Sequence, residues 1–455
     1  MILDSGAAGD IGPAYLCIVT HMIRSSSQSA HRLAWASYAS FAAFGVFWGT
    51  WGASIPRIRS QAGISDGQLG TALLFIGAGA LPAMLLTGRI IDRFGVRITA
   101  AVTLILLGAS GLIVALAATG FASLCFGLLL VGAASGAADV AINSAAGSAE
   151  QLAATPVITR SHGMFSAFVV VSSLVAGRLT ALGAGTTFSF VLVIAASMIA
   201  SGYLLHASSS SAEVPSARQR IRAETGDLRH RRADPASGIP VLPILLVGIL
   251  GAMAFASENA HQSWAAVFFE DELGTGAALS SAAPAIFAAV VAITRFSTGG
   301  LQPAHATRTL VLGATAASVG ATILAGAPNV IVALIGLAVA AAGTAVLYPT
   351  LLGIVSRSTE DATRGRATSL LTTISYLGFL LGPVYVGLWS EAAGLRAAMA
   401  AIAALCALLL ALTPVLLRIR RKLTDPSSPP HIANTANTAH HPKQDDDARE
   451  HDLAE

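Results

Sequence analysis

The sequence has few charged residues and few cysteines. Only 11% of its 455 residues are charged, whereas soluble globular proteins carry about 25%. This shortage excludes an ordinary soluble enzyme, a nucleic-acid-binding protein and an intrinsically disordered chain. The three cysteines form no spaced pair, so the sequence predicts neither a disulfide framework nor a metal site, and we expect no cofactor.

Long apolar stretches are abundant instead, and the mean hydropathy is +0.69. A transmembrane helix needs about 20 mostly apolar residues, whereas strands of a membrane barrel alternate in polarity over about 10 residues. Twelve long stretches without such alternation occur at approximately residues 33–55, 68–88, 98–118, 121–146, 161–183, 186–206, 241–269, 277–298, 307–327, 330–354, 367–390 and 395–417. We therefore predict an all-α polytopic membrane protein with twelve transmembrane helices.

A polar segment divides these stretches into two sets of six. Residues 207–240 are rich in Ser, Arg and Pro, and we predict a cytoplasmic linker between six-helix bundles at 33–206 and 241–417. We expect residues 1–32 to form an N-terminal cytoplasmic segment; they lack the pattern of a signal peptide, and Met22 is a candidate alternative start. Residues 418–455 contain too few apolar side chains to fold, so we expect a disordered cytoplasmic tail.

The basic residues predict the orientation of the chain. If the N-terminus is inside, 21 of the 27 Lys and Arg residues fall in inside segments, four fall outside and two lie in the far tail. Cytoplasmic loops of membrane proteins carry an excess of Lys and Arg. We therefore expect both termini in the cytoplasm, in a bacterial inner membrane. We also expect a monomer in the lipid bilayer, with no nucleic-acid partner.

The loop after the second apolar stretch carries a charged motif, Gly88-Arg-Ile-Ile-Asp92-Arg93-Phe-Gly95-Val-Arg97. Gly95 permits a tight turn, and Asp92 can accept hydrogen bonds from a helix N-terminus or pair with an arginine. The spacing resembles the loop signature of the major facilitator superfamily, G-x-[LI]-x-D-R-x-G-x-R. The resemblance covers about residues 33–417 and implies two bundles related by an axis along the membrane normal. It further implies that the conformational-latch loop consists of Gly88, Asp92, Arg93, Gly95 and Arg97.

Four further fragments are similar to the fucose-permease-like branch of that superfamily. They are Asp139-Val-Ala-Ile-Asn143, Ser161-His162-Gly163-Met-Phe165-Ser166, Glu258-Asn-Ala-His261-Gln262-Ser-Trp264 and Tyr376-Leu-Gly378-Phe-Leu-Leu-Gly382-Pro383. In the fucose permease an intramembrane Glu, followed four residues on by Asn, serves proton coupling, and Asp139 and Asn143 match that pattern. The acid of span one is replaced by Gly52, so the resemblance does not imply fucose. The latch loop of the second half, from Arg295 to Leu301, lacks an acidic residue.

Two acidic residues, Asp139 and Glu258, lie inside the apolar stretches and away from their ends. An ionised carboxylate in a membrane is costly by a few kcal/mol. A proton-coupled carrier needs a carboxyl group that takes up a proton there and releases it on exposure to water. Asp139 and Glu258 are therefore the candidates for proton coupling. The alternative for Asp139 is a structural carboxylate capped by Asn143.

Polar and aromatic side chains near these acids predict the substrate contacts. Glu258, His261 and Gln262 are spaced to share one helix face, which should point into the protein or a water-filled cavity. Trp48 belongs to an aromatic stripe that could stack on a substrate or simply pack between helices. His162 could relay protons or form an interfacial hydrogen bond. The candidate substrate contacts are Asn143, Glu258, His261, Gln262, Trp264 and Trp48.

These features predict a secondary active transporter of a small polar metabolite. We expect symport of a sugar or sugar-like solute with protons, by alternating access at a site between the bundles. The sequence has no phosphate-binding loop for ATP and no nucleophile–base arrangement, so we expect neither an ATP-driven pump nor an enzyme. An exporter of drugs or metabolites is the alternative within transport. A non-transporting membrane sensor or partner-binding protein is the alternative outside it.

Overall fold

A computed structural model describes residues 13–153, 155–207, 241–298, 303–359 and 361–424. Within these ranges the chain is helical and contains no β-strand. The predicted linker after Ala207 and the predicted tail after Thr424 lie outside the described residues, as do residues 1–12 of the predicted N-terminal segment. Gly299 and Gly300 of the second predicted latch loop also lie outside them.

The first half of the chain contains α1 to α6. Their bounds are α1 Pro13–Ala62, α2 Asp66–Phe94, α3 Val96–Ala117, α4 Phe121–Ala153, α5 Val157–Ala181 and α6 Gly185–His206. The connections are short, and α2 passes into α3 at Gly95, whose φ of 82° is a conformation that L side chains rarely adopt. Helix α1 packs on α4, α5 and α6, and α2 packs on α4.

The second half contains α7 to α14. Their bounds are α7 Val241–Asp271, α8 Ala277–Ser280, α9 Ala282–Thr298, α10 Ala306–Ala325, α11 Val330–Ala345, α12 Leu347–Arg357, α13 Asp361–Ala393 and α14 Leu395–Thr424. Helices α8 and α9 share one predicted span, and so do α11 and α12. Helix α7 packs on α13 and α14, and α10 packs on α11 and α14. The two halves meet mainly where α2 lies against α13 and where α5 lies against α8 and α9.

Within the described ranges, eleven spans are long and apolar enough to cross a membrane. They correspond to eleven of the twelve predicted stretches, so the prediction of a polytopic all-α protein is confirmed. Helix α1 is not among them, because its apolar part mixes alanine and phenylalanine with serine, tyrosine and tryptophan. The twelfth span therefore stays a prediction.

Proline residues inside these helices free backbone carbonyls that other helices use. Proline has no N–H, so the carbonyl four residues earlier loses its helical donor. Pro383 frees the carbonyl of Phe379, which accepts a hydrogen bond from Asn259 Nδ2 at 2.6 Å. One turn on, the Pro383 carbonyl accepts from Trp264 Nε1 at 3.1 Å. These two bonds join α7 to α13, as expected where lipid offers no alternative partner.

Small residues let α2 and α4 approach closely. A Cβ added at Gly132 of α4 would overlap the backbone carbonyl of Ile76 in α2, and one at Gly136 would lie 2.7 Å from the carbonyl oxygen of Ala80. Helices that pack in lipid favour such small contact residues. This glycine contact holds α2 against α4, and Asp139 lies one turn beyond Gly136 on the same helix.

Candidate functional site

Asp139 lies near the middle of α4 and is partly buried. Asn143, one turn later, donates from Nδ2 to the Asp139 backbone carbonyl at 2.9 Å and to its carboxylate Oδ1 at 3.0 Å. Among the described residues no basic side chain forms an ion pair with Asp139. The amide of Asn143 is a neutral partner, so it does not balance a negative charge. Asp139 is also close enough to Tyr376 of α13, in the other half, for the two groups to interact electrostatically.

A cluster of aromatic side chains in the second half includes Tyr376, the residue that interacts with Asp139. Phe255 of α7 stacks on Tyr348 of α12 with ring centroids 4.1 Å apart. Tyr376 and Phe379 of α13 contact the Phe255 ring edge-on, at 5.5 and 6.1 Å. The Tyr348 hydroxyl also forms a hydrogen bond of 2.9 Å with the hydroxyl of Thr372. These rings therefore form an apolar surface with phenolic hydroxyls, and Tyr376 brings that surface within electrostatic reach of Asp139.

Glu258 forms an ion pair with Arg295 inside the second half. Arg295 Nη2 donates to both Glu258 carboxylate oxygens, at 2.9 and 3.0 Å. Arg295 Nε donates to the carbonyl of Ala345 at 3.2 Å. That carbonyl is free because Pro349, four residues on, has no N–H. The second latch loop has no acidic residue in its own sequence, but its arginine, Arg295, pairs with Glu258 of α7.

Arg295 remains partly exposed within this arrangement. Its side chain is 42% exposed, whereas that of Glu258 is 15% exposed. Among the described residues no group accepts a hydrogen bond from Arg295 Nη1. His162 of α5, in the other half, lies close enough for the Arg295 charge to act on its ring. The His162 ring is exposed and contacts Phe41 edge-on at 4.9 Å.

The other predicted residues of α7 occupy different surroundings. His261 is fully buried, and its ring stacks on that of Phe287 with centroids 6.1 Å apart. Its Nδ1 donates to the Ser257 carbonyl at 2.7 Å. Its Nε2 has no partner among the described residues. Trp264 is also fully buried, at its bond to the Pro383 carbonyl. Gln262 is partly exposed. The substrate roles of these residues stay predictions.

Trp48 lies on the partly exposed side of the aromatic stripe of α1. Its ring meets Phe44 at 6.3 Å and Phe47 at 5.4 Å. Phe47 and Trp51 are buried in the core of the first half. Of the stripe, Trp48 is therefore better placed than Phe47 or Trp51 to meet a solute, and that role stays a prediction.

The predicted latch loop joins α2 to α3 and is exposed at Gly88, Asp92, Arg93 and Gly95. Arg93 lies over the ring of Phe94 at 5.3 Å. Arg97 donates to the Ala207 carbonyl at 3.1 Å and so ties α3 to the end of α6. Asp92 has no hydrogen-bond or ion-pair partner in the part of the chain that the structure describes. In this conformation the loop does not hold the two halves together through Asp92.

The two halves are joined instead at the opposite end, beside the α1–α2 connection. We call these contacts the α1–α2 gate. Arg59 of α1 pairs with Asp66 of its own half and with Asp271 of α7, and Arg57 pairs with Glu270 at 3.4 Å. Burial alone would lower the pKa of Arg59, but the hydrogen bond to Asp271 and the charges of Asp66 and Asp271 outweigh it, so the pKa lies above its ordinary value. Arg59 therefore stays cationic.

The α1–α2 gate also contains contacts between α2 and α13. Ser390 donates to the Asp66 carboxylate. Glu391 accepts from the backbone N–H of Gly67 at 3.0 Å, so a carboxylate of the second half caps the N-terminus of a helix in the first. Gly70 and Gly387 lie close together, since a Cβ at Gly70 would come 3.0 Å from the Cα of Gly387. These contacts close this end of the molecule between its halves.

Sequence reasoning missed the aromatic cluster, Arg295 as the partner of Glu258, and the α1–α2 gate. Tyr376 lay within a recognised fragment, and Phe255 lies one turn before Glu258. Both signals could have indicated an aromatic surface beside the acid. The spacing of Arg57 and Arg59 near the end of α1 gave no sign of partners more than 200 residues away in α7.

Comparisons with known proteins place this geometry in context. The model of the Major Facilitator Superfamily matches residues 36–304 and 304–439. An uncharacterized MFS-type transporter of Yersinia pestis is 25% identical over 357 residues, which cover 76% of this chain and 86% of that protein. Among solved structures, the nucleoside transporter NupG aligns with a TM-score of 0.65 and 14% identity, over 86% of this chain and 99% of that chain. A D-xylose-proton symporter aligns with a TM-score of 0.61 and 16% identity, over 84% and 97%.

Proposed function

Because the chain belongs to the major facilitator superfamily, a family of transporters and not of enzymes, we propose that it is a proton-coupled symporter. It moves a small polar metabolite, a sugar or sugar-like compound, through the bacterial inner membrane. We place it in the fucose-permease-like branch, on the fragments around Asp139, His162, Glu258 and Tyr376. Both termini are cytoplasmic in this proposal, so the α1–α2 gate lies on the periplasmic side and closes that side.

The observation that carries the proposal is the environment of Asp139. This carboxyl group lies in mid-membrane, and its hydrogen-bond partner is the neutral amide of Asn143. An ionised carboxylate without a cation at this depth costs a few kcal/mol. A bound proton removes that cost, and movement of the halves can expose the group to water on either side. Asp139 is thus the proton carrier.

The substrate site lies between Asp139 and the aromatic cluster of the second half. Phenolic hydroxyls of Tyr348 and Tyr376 and the carboxyl group of Asp139 offer hydrogen bonds to a polar solute. The Phe255 ring offers an apolar surface of the kind that stacks on the flat face of a sugar ring. Asn143, Gln262 and Trp48 extend this set. Glu258 acts on it through its ion pair with Arg295, and His261 and Trp264 support it from within the bundle. Similar solved structures include transporters named for a nucleoside and for xylose with protons.

Purified protein in proteoliposomes tests the proposal. Monosaccharides, nucleosides, organic acids and cationic dyes are added while internal pH is recorded. We expect one solute class to drive proton entry. Asp139→Asn should abolish uphill accumulation while solute exchange without a proton gradient continues, because the variant keeps the binding site but cannot carry the proton. Asp139→Glu is the matched control and should keep proton movement.

Three results would contradict the proposal. Unchanged accumulation by Asp139→Asn would remove Asp139 as the proton carrier. Proton exit on addition of a dye, with resistance on overexpression, would indicate an exporter instead. If no solute moves and a stable partner protein is captured, the sensor alternative is favoured.

A further inference from the structure

We propose that the transported solute carries a carboxylate and that Arg295 and His162 bind it. On binding, the solute carboxylate replaces the Glu258 carboxylate on Arg295. This inference rests on the proposed transport function. It names the solute more closely as an acidic derivative of a sugar or a similar hydroxy acid. It also assigns a binding role to two basic side chains that lie on opposite halves of the molecule.

Arg295 is placed inside the protein and not toward lipid. Its guanidinium contacts α7 through Glu258 and the end of α11 through the Ala345 carbonyl. His162 approaches it from α5 of the first half. Next to His162, a Cβ at Gly163 would lie 3.4 Å from the ring of Phe296, the residue after Arg295. The 42% exposure of Arg295 is therefore exposure at the junction of the two halves.

The ion pair leaves part of the guanidinium available. A carboxylate that binds arginine side-on uses two of its nitrogens, but Glu258 contacts only Nη2. Nε is held by the carbonyl that Pro349 frees. Nη1 donates to no group among the described residues, so an incoming carboxylate can bind at Nη1 and compete with Glu258 for Nη2. The bond from Nε keeps the guanidinium in place during this exchange.

His162 supplies the contact from the first half. Neither of its ring nitrogens has a hydrogen-bond partner among the described residues, and its ring is exposed. A ring N–H of His162 can donate to a carboxylate oxygen while Arg295 binds the same anion. A neutral sugar lacks the charge that Arg295 attracts. A carboxylate bound by both residues would hold α5 and α9 together, which links binding to the movement of the halves.

Glu258 acts in this arrangement as the internal competitor of the solute. Without solute it neutralises Arg295, which lowers the cost of a cation in the membrane. With solute bound, the solute carboxylate replaces it on Arg295. Removal of the Glu258 charge should then strengthen solute binding, whereas removal of Arg295 should weaken it. A purely structural ion pair would not give effects of opposite sign.

Binding to purified protein in detergent tests this. The probes are matched pairs, glucuronate with glucose and galacturonate with galactose, together with lactate, and affinity is measured by calorimetry. We expect wild-type protein to bind an acid and not its neutral partner. Glu258→Gln should bind that acid severalfold more tightly. The double variant Arg295→Gln/Glu258→Gln keeps a neutral pair and should bind it at least about tenfold more weakly, as expected for a lost charge-assisted hydrogen bond.

The control is a second arginine–glutamate pair in the same half. Arg396 and Glu272 are 3.0 Å apart, and Arg396 is also 42% exposed. Arg396→Gln/Glu272→Gln should leave acid binding unchanged. Preference for the neutral sugar, equal affinities of wild-type protein and the Arg295 variants, or no binding of any acid would overturn the inference. Transport of a neutral sugar with protons would overturn it while the proposed function stands.

Discussion

The α1–α2 gate should set the balance between the two conformations of the transporter, and Asp271→Asn tests this. Asp271 is the residue of α7 that pairs with Arg59 across the halves. Asparagine keeps the size of the side chain and can still accept a hydrogen bond, so the substitution removes mainly the charge. Arg59 keeps its intra-half partner Asp66, which limits disturbance of α1 and α2.

The solvent exposure of Arg59 and Asp271 sets how much their ion pair stabilises the closed gate. Arg59 is 18% exposed and Asp271 34% exposed, so the pair is partly hydrated, and water will solvate both groups when the halves separate. Pairs of this kind contribute up to about 1 kcal/mol. A loss of about 1 kcal/mol changes an equilibrium ratio about fivefold. Asp271→Asn should therefore raise the population that is open at the gate about fivefold relative to the closed one.

Electron–electron distance measurements between two spin labels report this population. Ser60 of α1 and Ala393 of α13 are exposed on either side of the gate. They accept the labels in a background from which all three native cysteines, Cys17, Cys125 and Cys406, have been replaced. We expect Asp271→Asn to increase the long-distance fraction. Glu272→Gln is the matched control, because Glu272 pairs with Arg396 inside one half. Identical distance distributions in the two variants would refute the reasoning.

Two further predictions concern helix packing. Gly132→Leu should prevent recovery of folded protein in size-exclusion chromatography, because the new side chain would overlap the backbone carbonyl of Ile76. Gly202→Leu is the control and should be recovered normally, because a Cβ there meets open space. Trp264→Phe removes the hydrogen bond to the Pro383 carbonyl and should destabilise the protein by about 1 kcal/mol. The expected result is a lower midpoint of thermal unfolding in detergent. The control is Trp389→Phe at an exposed position, and equal midpoints of the two variants would contradict the prediction.

The spans could be predicted from the sequence because hydropathy is a local property. Each stretch carries its own signal, and eleven of the twelve correspond to spans apolar enough to cross a membrane. Helix α1 shows the limit of that signal. Its buried serines, Ser37 and Ser40, bond to carbonyls of their own helix, so polar side chains are satisfied in a way that a hydropathy average does not register.

The pairing of charges could not be predicted from local sequence. Glu258 was recognisable as an acid in an apolar stretch, but its partner Arg295 lies 37 residues on, in a loop motif that has no acidic residue of its own. The position of Arg295 depends on a carbonyl freed by Pro349 on a third element. Similarly, the gate depends on where α2 and α13 cross. Both features arise from packing between helices that are distant in sequence.

The membrane-embedded acids of the two halves have different partners. This difference is consistent with separate roles, proton binding in the first half and solute binding in the second. The acid of the first half, Asp139, meets a neutral amide and pairs with no cation among the described residues, so a bound proton would remove its charge. In the second half the charge of Glu258 is already balanced by that of Arg295, so the empty site is neutral. A bound anion therefore makes the net charge of that site one unit more negative, unless a proton enters as well. A proton on Asp139 supplies that balance. Uptake of an acidic solute and of a proton would thus be linked by the cost of charge in the membrane, even though Asp139 lies on the first half and Arg295 on the second.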